Sequence, residues 1–235
     1  MLTIHNLTAG YGAGDGQSQV LQGVSLRVLP GEVVALLGRN GSGRSTLAKA
    51  IFGLVAAQGS ITWRGRELIG QSTFEIARAG LGYVPESRDV FPDLTVAQNL
   101  LLGQKPGPQA GRWQQADLLA LFPQLQQRLN VKAGVLSGGE QQMLALSRTL
   151  MGNPELIIID EPTEGLAPQL VAQVGTLLTT LKARGVAVLL IEQKLTIALD
   201  VADSCVVMGQ GRVVFDGTPA ALLADAAVQR AWLAV

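Results

Sequence analysis

A glycine-rich segment between residues 38 and 46 has the spacing of a phosphate-binding loop. Its residues are Gly38, Arg39, Asn40, Gly41, Ser42, Gly43, Arg44, Ser45 and Thr46. In such loops the glycines let backbone N–H groups point at phosphate oxygens, and the positive end of the following helix adds attraction. The pattern predicts binding of a nucleoside triphosphate, with the Ser45 hydroxyl placed to ligate Mg²⁺ between the β- and γ-phosphates.

Arg44 occupies the position at which this pattern normally has lysine. Lysine is a compact point charge, whereas arginine is a planar fork that needs more room. The positive charge is retained, so we expect nucleotide to bind. Transition-state placement is stricter, because a misplacement of ~1 Å can cost ~100-fold in rate. We therefore hypothesise that Arg44 lowers hydrolysis at this loop by about one order of magnitude or more.

Two further segments carry groups that could act on a triphosphate. The aliphatic run Leu156–Asp160 predicts a buried strand that ends in Asp160, as a Mg²⁺ ligand, and Glu161, as general base for the attacking water. A second anion-binding segment is predicted at a helix start formed by Ser137, Gly138, Gly139 and Glu140. One nucleotide does not need both this segment and the glycine loop from the same molecule. The sequence therefore predicts that two protomers enclose the nucleotide and that each contributes one of the two segments.

The composition limits the classes of protein to which the chain can belong. Of its 235 residues 48% are hydrophobic and 15% are charged, so we expect one large domain with a full core. Eighteen basic and 18 acidic residues give zero net charge and no reason to expect a nucleic-acid partner. A single cysteine fits a reducing cytosol. Apolar runs such as Gly185–Ile191 fall far short of the ~20 residues that cross a bilayer, and the N-terminus lacks a signal-peptide pattern.

The order of the predicted elements positions these groups. Strand signals in residues 1–35 lead into the glycine loop, and a helix is predicted over Ser45–Leu54. A Gln-, Leu- and Ala-rich stretch over residues 86–150 predicts a helical subdomain, interrupted by an exposed loop at Gly103–Gly111. Strands and helices then alternate to the C-terminus. The prediction is an α/β fold with a mostly parallel sheet as its core.

The sequence LSGGEQ at residues 136–141, between the phosphate loop and the strand that ends in Asp-Glu-Pro, resembles the ATP-binding subunits of ABC transporters. The resemblance covers essentially the whole chain. It implies a P-loop NTPase fold: a single ABC ATPase domain over residues 1–235, with a RecA-like core at about 1–85 and 151–235, an antiparallel β region and a helical subdomain at about 86–150. It also implies ATP and Mg²⁺ as cofactors and an aromatic residue, here Tyr11, that stacks on adenine.

The same resemblance implies an assembly. A head-to-tail dimer would close on two ATP molecules beneath membrane permease subunits, which places the chain peripherally at the cytoplasmic face of the inner membrane. Soluble ABC ATPases of translation or DNA repair are an alternative class of protein, but they need tandem cassettes or long coiled-coil insertions. The chain has neither.

Four segments narrow the resemblance to one branch. Residues 83–88, 90–96, 164–168 and 191–193 are similar to the F-type ATPase of bacterial branched-chain amino acid importers. The urea and short-amide importer ATPases share much of this pattern. The branch implies a second, different ATPase subunit, two permease subunits and a periplasmic binding protein that delivers substrate.

Three positions differ from the broad family pattern. Glu86 stands where most members have a glutamine that touches Mg²⁺, Gln193 where most have a switch histidine, and Ala167 where most have aspartate. These changes are usual for the branch. We expect Gln193 to donate an amide hydrogen bond near the γ-phosphate. Two functions remain open: an importer motor, or a nucleotide-binding module that clamps the dimer while hydrolysis occurs mainly at the partner subunit's loop.

Overall fold

In the computed structural model, which describes residues 1–12, 18–105 and 111–233, ten strands form two sheets. The strands are β1 (Leu2–Tyr11), β2 (Ser18–Val28), β3 (Val33–Leu37), β4 (Ala56–Trp63), β5 (Arg66–Glu67), β6 (Leu81–Val84), β7 (Leu156–Asp160), β8 (Ala187–Glu192), β9 (Ser204–Gly209) and β10 (Arg212–Gly217). The first sheet is antiparallel, in the order β2-β1-β4-β5.

The six-stranded second sheet has the order β10-β9-β3-β8-β7-β6, and all its neighbours are parallel except β10 and β9. Its register pairs Leu37 with Glu192 and Asp160 with Ile191. The carboxyl ends of β3, β8 and β7 therefore meet at one edge. This arrangement confirms the predicted α/β fold with a mostly parallel sheet and an antiparallel region.

The central strands β3, β7 and β8 are buried along their whole length, which explains their almost continuous aliphatic sequence. In β7, Ile158 faces a core shared with the antiparallel sheet, whereas Ile157 and Ile159 face a second core on the opposite side. Side chains of β8 alternate in the same way between the two cores.

Ten α-helices and one 3₁₀ turn are present in the described ranges. The helices are α1 (Arg44–Ile51), α2 (Thr73–Arg78), α3 (Val96–Gly103), α4 (Gln115–Leu121), α5 (Pro123–Gln126), α6 (Gly138–Met151), α7 (Pro168–Ala183), α8 (Leu195–Val201), α9 (Pro219–Ala224) and α10 (Ala226–Trp232). The prediction for α1 was wrong at its C-terminal end. The helix ends at Ile51, because Gly53, two residues further on, adopts the left-handed φ of +65° and does not continue it to Leu54.

Helices α3 to α6 form the helical part expected from residues 86–150. Its apolar side chains, among them Trp113, Phe122 and Leu144, pack in the same cluster as Ile157 and Ile159 of the main sheet. Residues 106–110 of the expected exposed loop lie outside the described residues, and Gly103 is the last residue of α3.

The last described residues pack on the chain's own core. Leu233 is buried beside Leu37 and Cys205, and the ring of Trp232 covers Gly209, where a side-chain carbon would collide with it. Trp232 and Leu233 therefore cover the strands β3 and β9 of the chain's own domain.

A substitution at Trp113 tests whether the helical part contributes to a shared core. Trp113 is 1% exposed, and the Arg184 guanidinium lies 4.1 Å from its ring centroid. We expect Trp113→Ala to lower the free energy of unfolding by ~3–5 kcal/mol, measured by urea denaturation. The control Phe74→Ala removes an aromatic ring that is 61% exposed and should change it by less than ~1 kcal/mol. Equal effects of the two variants would contradict the shared core.

Candidate nucleotide-binding and catalytic site

The glycine loop leaves β3 and enters α1 with the geometry that a phosphate cradle needs. Gly38 adopts φ +153° and packs so tightly that a Cβ would lie 2.5 Å from the Met208 carbonyl oxygen. Gly41, at φ +80°, has open space where its Cβ would be. Leu47 donates its backbone N–H to Gly43, so α1 begins directly at the loop and aims its N-terminal end at it.

A cleft of about 440 Å³ lies over the loop. Its lining comprises Val20, Asn40, Gly41, Ser42, Gly43, Arg44, Ser45, Thr46, Glu86, Glu161 and Glu164. The structure thus brings the predicted loop together with two of the predicted acids. None of the described lining residues belongs to the segment Ser137–Glu140, which lies elsewhere on the molecule.

Arg44 points at the predicted general base. Its Nη2 donates to Glu161 Oε1 at 2.8 Å and to Asn40 Oδ1 at 3.3 Å. The pair is largely buried, with side chains 5% and 11% exposed. Burial raises the pKa of Glu161, while the positive charge of Arg44 opposes this rise. The Glu161 carboxylate thus lines the cleft with Arg44 as its ion-pair partner.

Asp160 and Ser45, two of the predicted Mg²⁺ ligands, lie in contact. The Ser45 hydroxyl donates to Asp160 Oδ1 at 3.2 Å, and burial raises the pKa of Asp160. Glu86 is exposed, lines the same cleft and adds to this rise. No group of three His, Cys, Asp or Glu side chains that could hold a metal by themselves occurs in the described ranges. A metal here would therefore need oxygen ligands from a bound phosphate as well.

Tyr11 and Gln193, the two other predicted ATP contacts, lie at the end of β1 and directly after β8. Tyr11 is 44% exposed at the end of β1, with its hydroxyl 3.4 Å from Thr46 Oγ1. Gln193 follows β8 directly and is half-buried at the carboxyl edge of the sheet. Neither residue lines the cleft over the loop, so their predicted contacts with adenine and with the γ-phosphate stay predictions.

The segment Ser137–Glu140 is a complete helix N-terminus. The Ser137 hydroxyl accepts the Glu140 backbone N–H at 3.3 Å, and the Glu140 carboxylate accepts the Ser137 N–H at 2.8 Å. Arg128 pairs with Glu140 at 2.9 Å. A Cβ on Gly138 would collide with the Arg88 guanidinium, which also donates to the Glu164 carbonyl at 3.3 Å. Ser137 is exposed, whereas Gly138, Gly139 and Glu140 are half-buried, and the segment is already folded in the single chain.

Sequence reasoning missed two contacts of this site. Glu192, buried at the end of β8, accepts the Thr163 hydroxyl at 2.7 Å. Arg39 donates to the carbonyls of Arg230 at 3.0 Å and Leu233 at 3.2 Å, and so ties the loop to the end of α10. Neither contact has a local sequence signal, because the partners are distant in the chain.

The loop, the acidic strand end and the parallel sheet define a P-loop NTPase. A family model described as ABC transporter matches residues 21–164. The high-affinity branched-chain amino acid transport ATP-binding protein BraG of Pseudomonas aeruginosa is 42% identical over 235 residues, 99% of both chains. The lipopolysaccharide export system ATP-binding protein LptB of Haemophilus influenzae is 33% identical over 99% of this chain and 97% of that protein.

The solved structures to which the chain is similar are also ATP-binding cassettes. A nucleotide-free ATP-binding cassette from an ABC transporter has a TM-score of 0.80 at 29% identity, over 97% of this chain and 96% of that one. A dimeric cassette in a post-hydrolysis state with ADP and Pi has a TM-score of 0.83 at 25% identity, over 93% and 99%. The chain belongs to the ABC transporter family, as its ATP-binding ATPase subunit, which confirms the family predicted from the sequence.

The contact between the loop and α10 can be tested with Arg39→Ala. Loss of its bonds to the two carbonyls should loosen the loop and cost ~1 kcal/mol of ATP affinity, roughly fivefold in Kd. Hydrogen exchange of residues 226–233 should rise as well. The control Arg230→Ala removes an exposed side chain and keeps the accepting carbonyl. The interpretation fails if both variants bind ATP like the parent chain.

Proposed function

We propose that the chain is the ATP-hydrolysing motor subunit of an importer for branched-chain amino acids. The observation that carries this proposal is the 42% identity, over 99% of both chains, to a branched-chain amino acid transport ATP-binding protein. A probable branched-chain amino acid transport ATP-binding protein of Archaeoglobus fulgidus, LivF, adds support at 33% identity over 95% of this chain. An importer of urea or short amides is the alternative substrate class.

The residues of the cleft fit ATP and Mg²⁺. Two buried polar atoms of the loop, Ser42 Oγ and Arg44 Nη1, have no hydrogen-bond partner within the described structure, as expected of groups that face a ligand. Ser45, Glu86 and Asp160 would hold Mg²⁺. The ion would neutralise charge on the phosphates. Glu161 would accept a proton from the attacking water, and Gln193 would donate a hydrogen bond near the γ-phosphate.

Two cassettes are needed to complete each site. Ser137, Gly138, Gly139 and Glu140 form a ready anion-binding helix end that does not line the chain's own cleft. A head-to-tail dimer, with a second ATPase subunit or with another copy, would bring this segment onto the ATP bound to the opposite loop. The dimeric cassette structure with ADP and Pi supports this arrangement by similarity.

An apolar groove of about 810 Å³ offers a docking surface for a permease subunit. Leu54, Phe74, Phe91 and Leu102 line it and are exposed. Its floor adjoins Pro85, next to Glu86 of the nucleotide cleft, so docking there could be transmitted to the site. The chain would sit peripherally at the cytoplasmic face of the inner membrane, with the periplasmic binding protein acting only through the permease. No helix of the described ranges is long and apolar enough to span a bilayer.

A second candidate function follows from the Arg44–Glu161 pair. The chain would clamp the dimer with bound ATP, while the partner subunit's loop carries out most hydrolysis. Neither the fold nor the comparisons bear out a reduced rate at this chain's loop, and the effect of Arg44 stays a prediction. The bond itself is the observation that favours it, because a general base engaged by a buried arginine is less free to take a proton.

Transport by the reconstituted complex tests the proposed function. We expect liposomes with the permease, the binding protein and both ATPase subunits to accumulate leucine on ATP addition, and not urea or acetamide. Glu161→Gln should abolish uptake and lower hydrolysis by ~100-fold or more while ATP still binds. Glu155→Gln removes the acid that precedes the same strand at its other end and serves as the matched control. Uptake of urea in place of leucine would contradict the proposed substrate.

Arg44→Lys separates the two candidate functions. A compact ammonium leaves Glu161 free, so we expect turnover to rise about tenfold with Kd for ATP nearly unchanged. The measurement is steady-state phosphate release together with ATP binding. Arg212→Lys, an equivalent change on the exposed strand β10, is the control. Unchanged turnover in Arg44→Lys would show that the arginine does not limit hydrolysis.

A further inference from the structure

Glu192 is a buried carboxylate to which the proposed mechanism gives no role. Its side chain is 2% exposed, and its Oε1 accepts the Thr163 hydroxyl at 2.7 Å and the Thr163 backbone N–H at 3.3 Å. Thr163 is equally buried, at 2% exposed. Every other residue of β8 is an apolar, buried side chain. A carboxylate is therefore kept at a position where an aliphatic residue would pack without desolvation cost.

The carboxylate gathers groups from two separate segments. Burial raises the pKa of Glu192, whereas hydrogen bonds from Thr163 and from the backbone amides of Lys194 and Gln193 oppose the rise. Its partners thus belong both to the turn that follows Asp160 and to the turn that follows β8. One side chain connects the two turns that carry the proposed general base and the proposed γ-phosphate contact.

The backbone of the first turn needs such support. Glu161 adopts φ +46°, an unfavourable conformation for a residue with a side chain, and donates its backbone N–H to the Ile191 carbonyl at 2.9 Å. Strained residues of this kind persist where the surroundings hold them from several directions. The Glu192–Thr163 hydrogen bond is a second connection between the two turns, besides the one from Glu161 to Ile191. Thr163 lies two residues after Glu161, and Glu192 lies one residue before Gln193.

We propose that Glu192, through Thr163, is a positioning residue for ATP hydrolysis that fixes Glu161 and Gln193 relative to each other. The inference rests on the roles proposed for those two residues. It requires that loss of the pair lowers kcat with little change in KM, because ATP is bound by the loop and not by these turns. A role in packing alone would instead make activity follow stability.

Four variants of the full chain separate these roles. Thr163→Val removes the hydroxyl at similar volume, and we expect kcat to fall about tenfold or more with KM within about threefold. Thr163→Ser keeps the hydroxyl and should retain kcat within about threefold. Glu192→Met removes the carboxylate together with its contacts to backbone amides, so its kcat should fall at least as far as that of Thr163→Val. The double variant Glu192→Met/Thr163→Val should lose no more kcat than Glu192→Met alone, because Thr163→Val then removes no further interaction.

The double variant is the deciding one. Replacing a buried polar pair by apolar residues of similar size often restores stability, so its Tm should recover relative to Thr163→Val while kcat stays low. Recovery of kcat together with Tm would overturn the proposal, as would multiplicative losses in the double variant or a Thr163→Val chain with normal kcat.

A matched pair provides the control. Ser204 donates its hydroxyl to Glu32 at 2.8 Å, at the opposite end of the same sheet. Ser204→Ala should leave kcat within about twofold, and an equal loss there would also overturn the proposal. Glu161→Gln, measured in parallel, distinguishes a failure of the proposed general base from a failure of the positioning role. If it hydrolyses ATP normally, the assigned base is wrong; if it is inactive while Thr163→Val is normal, only the positioning role fails.

Discussion

The in-register pairing of β3, β8 and β7 is the constraint on which the site depends. Because Leu37 lies level with Glu192, and Ile191 with Asp160, the three strands end together. The glycine loop, the acidic pair and Gln193 leave the sheet from that edge. A shift of one residue in β7 would turn Asp160 to the other face and move an isoleucine into its place. The continuous burial of these strands on both faces makes such a shift costly, so hydrophobic packing enforces the chemistry.

The ion pair between Arg44 and Glu161 shows how one residue changes the electrostatics of this edge. Two acids, Asp160 and Glu161, end a buried strand, and burial alone would favour their neutral forms. The arginine supplies a charge close enough to oppose this for Glu161. The second terminal nitrogen of the same guanidinium has no hydrogen-bond partner in the described structure, and we propose that it contacts the bound triphosphate. Binding of a highly charged anion would therefore compete directly with Glu161 for Arg44.

The sequence predicted most of the architecture and most of the residues of the cleft. These two predictions succeed because their signals are local. The glycine spacing and the four-residue aliphatic run before Asp160 each lie within a few consecutive residues. The end of α1 was misplaced because apolar periodicity continues past Gly53, whose left-handed backbone ends the helix. Glu192 and Arg39 were missed because their partners, Thr163 and the last residues of α10, lie far away in the chain. Only the folded sheet reveals such contacts.

The segment Ser137–Glu140, for which we propose a contact with a phosphate on a second cassette, is already folded in the single chain. Its capping box satisfies the Ser137 hydroxyl and N–H, so no refolding would be needed for that contact. Glu140 would place a negative charge near that phosphate, and Arg128 compensates it at 2.9 Å. The 14-residue α6 begins at this segment, and a helix N-terminus attracts anions. None of the segment's residues lines the chain's own cleft, which is why we propose that it acts on a nucleotide held by another subunit.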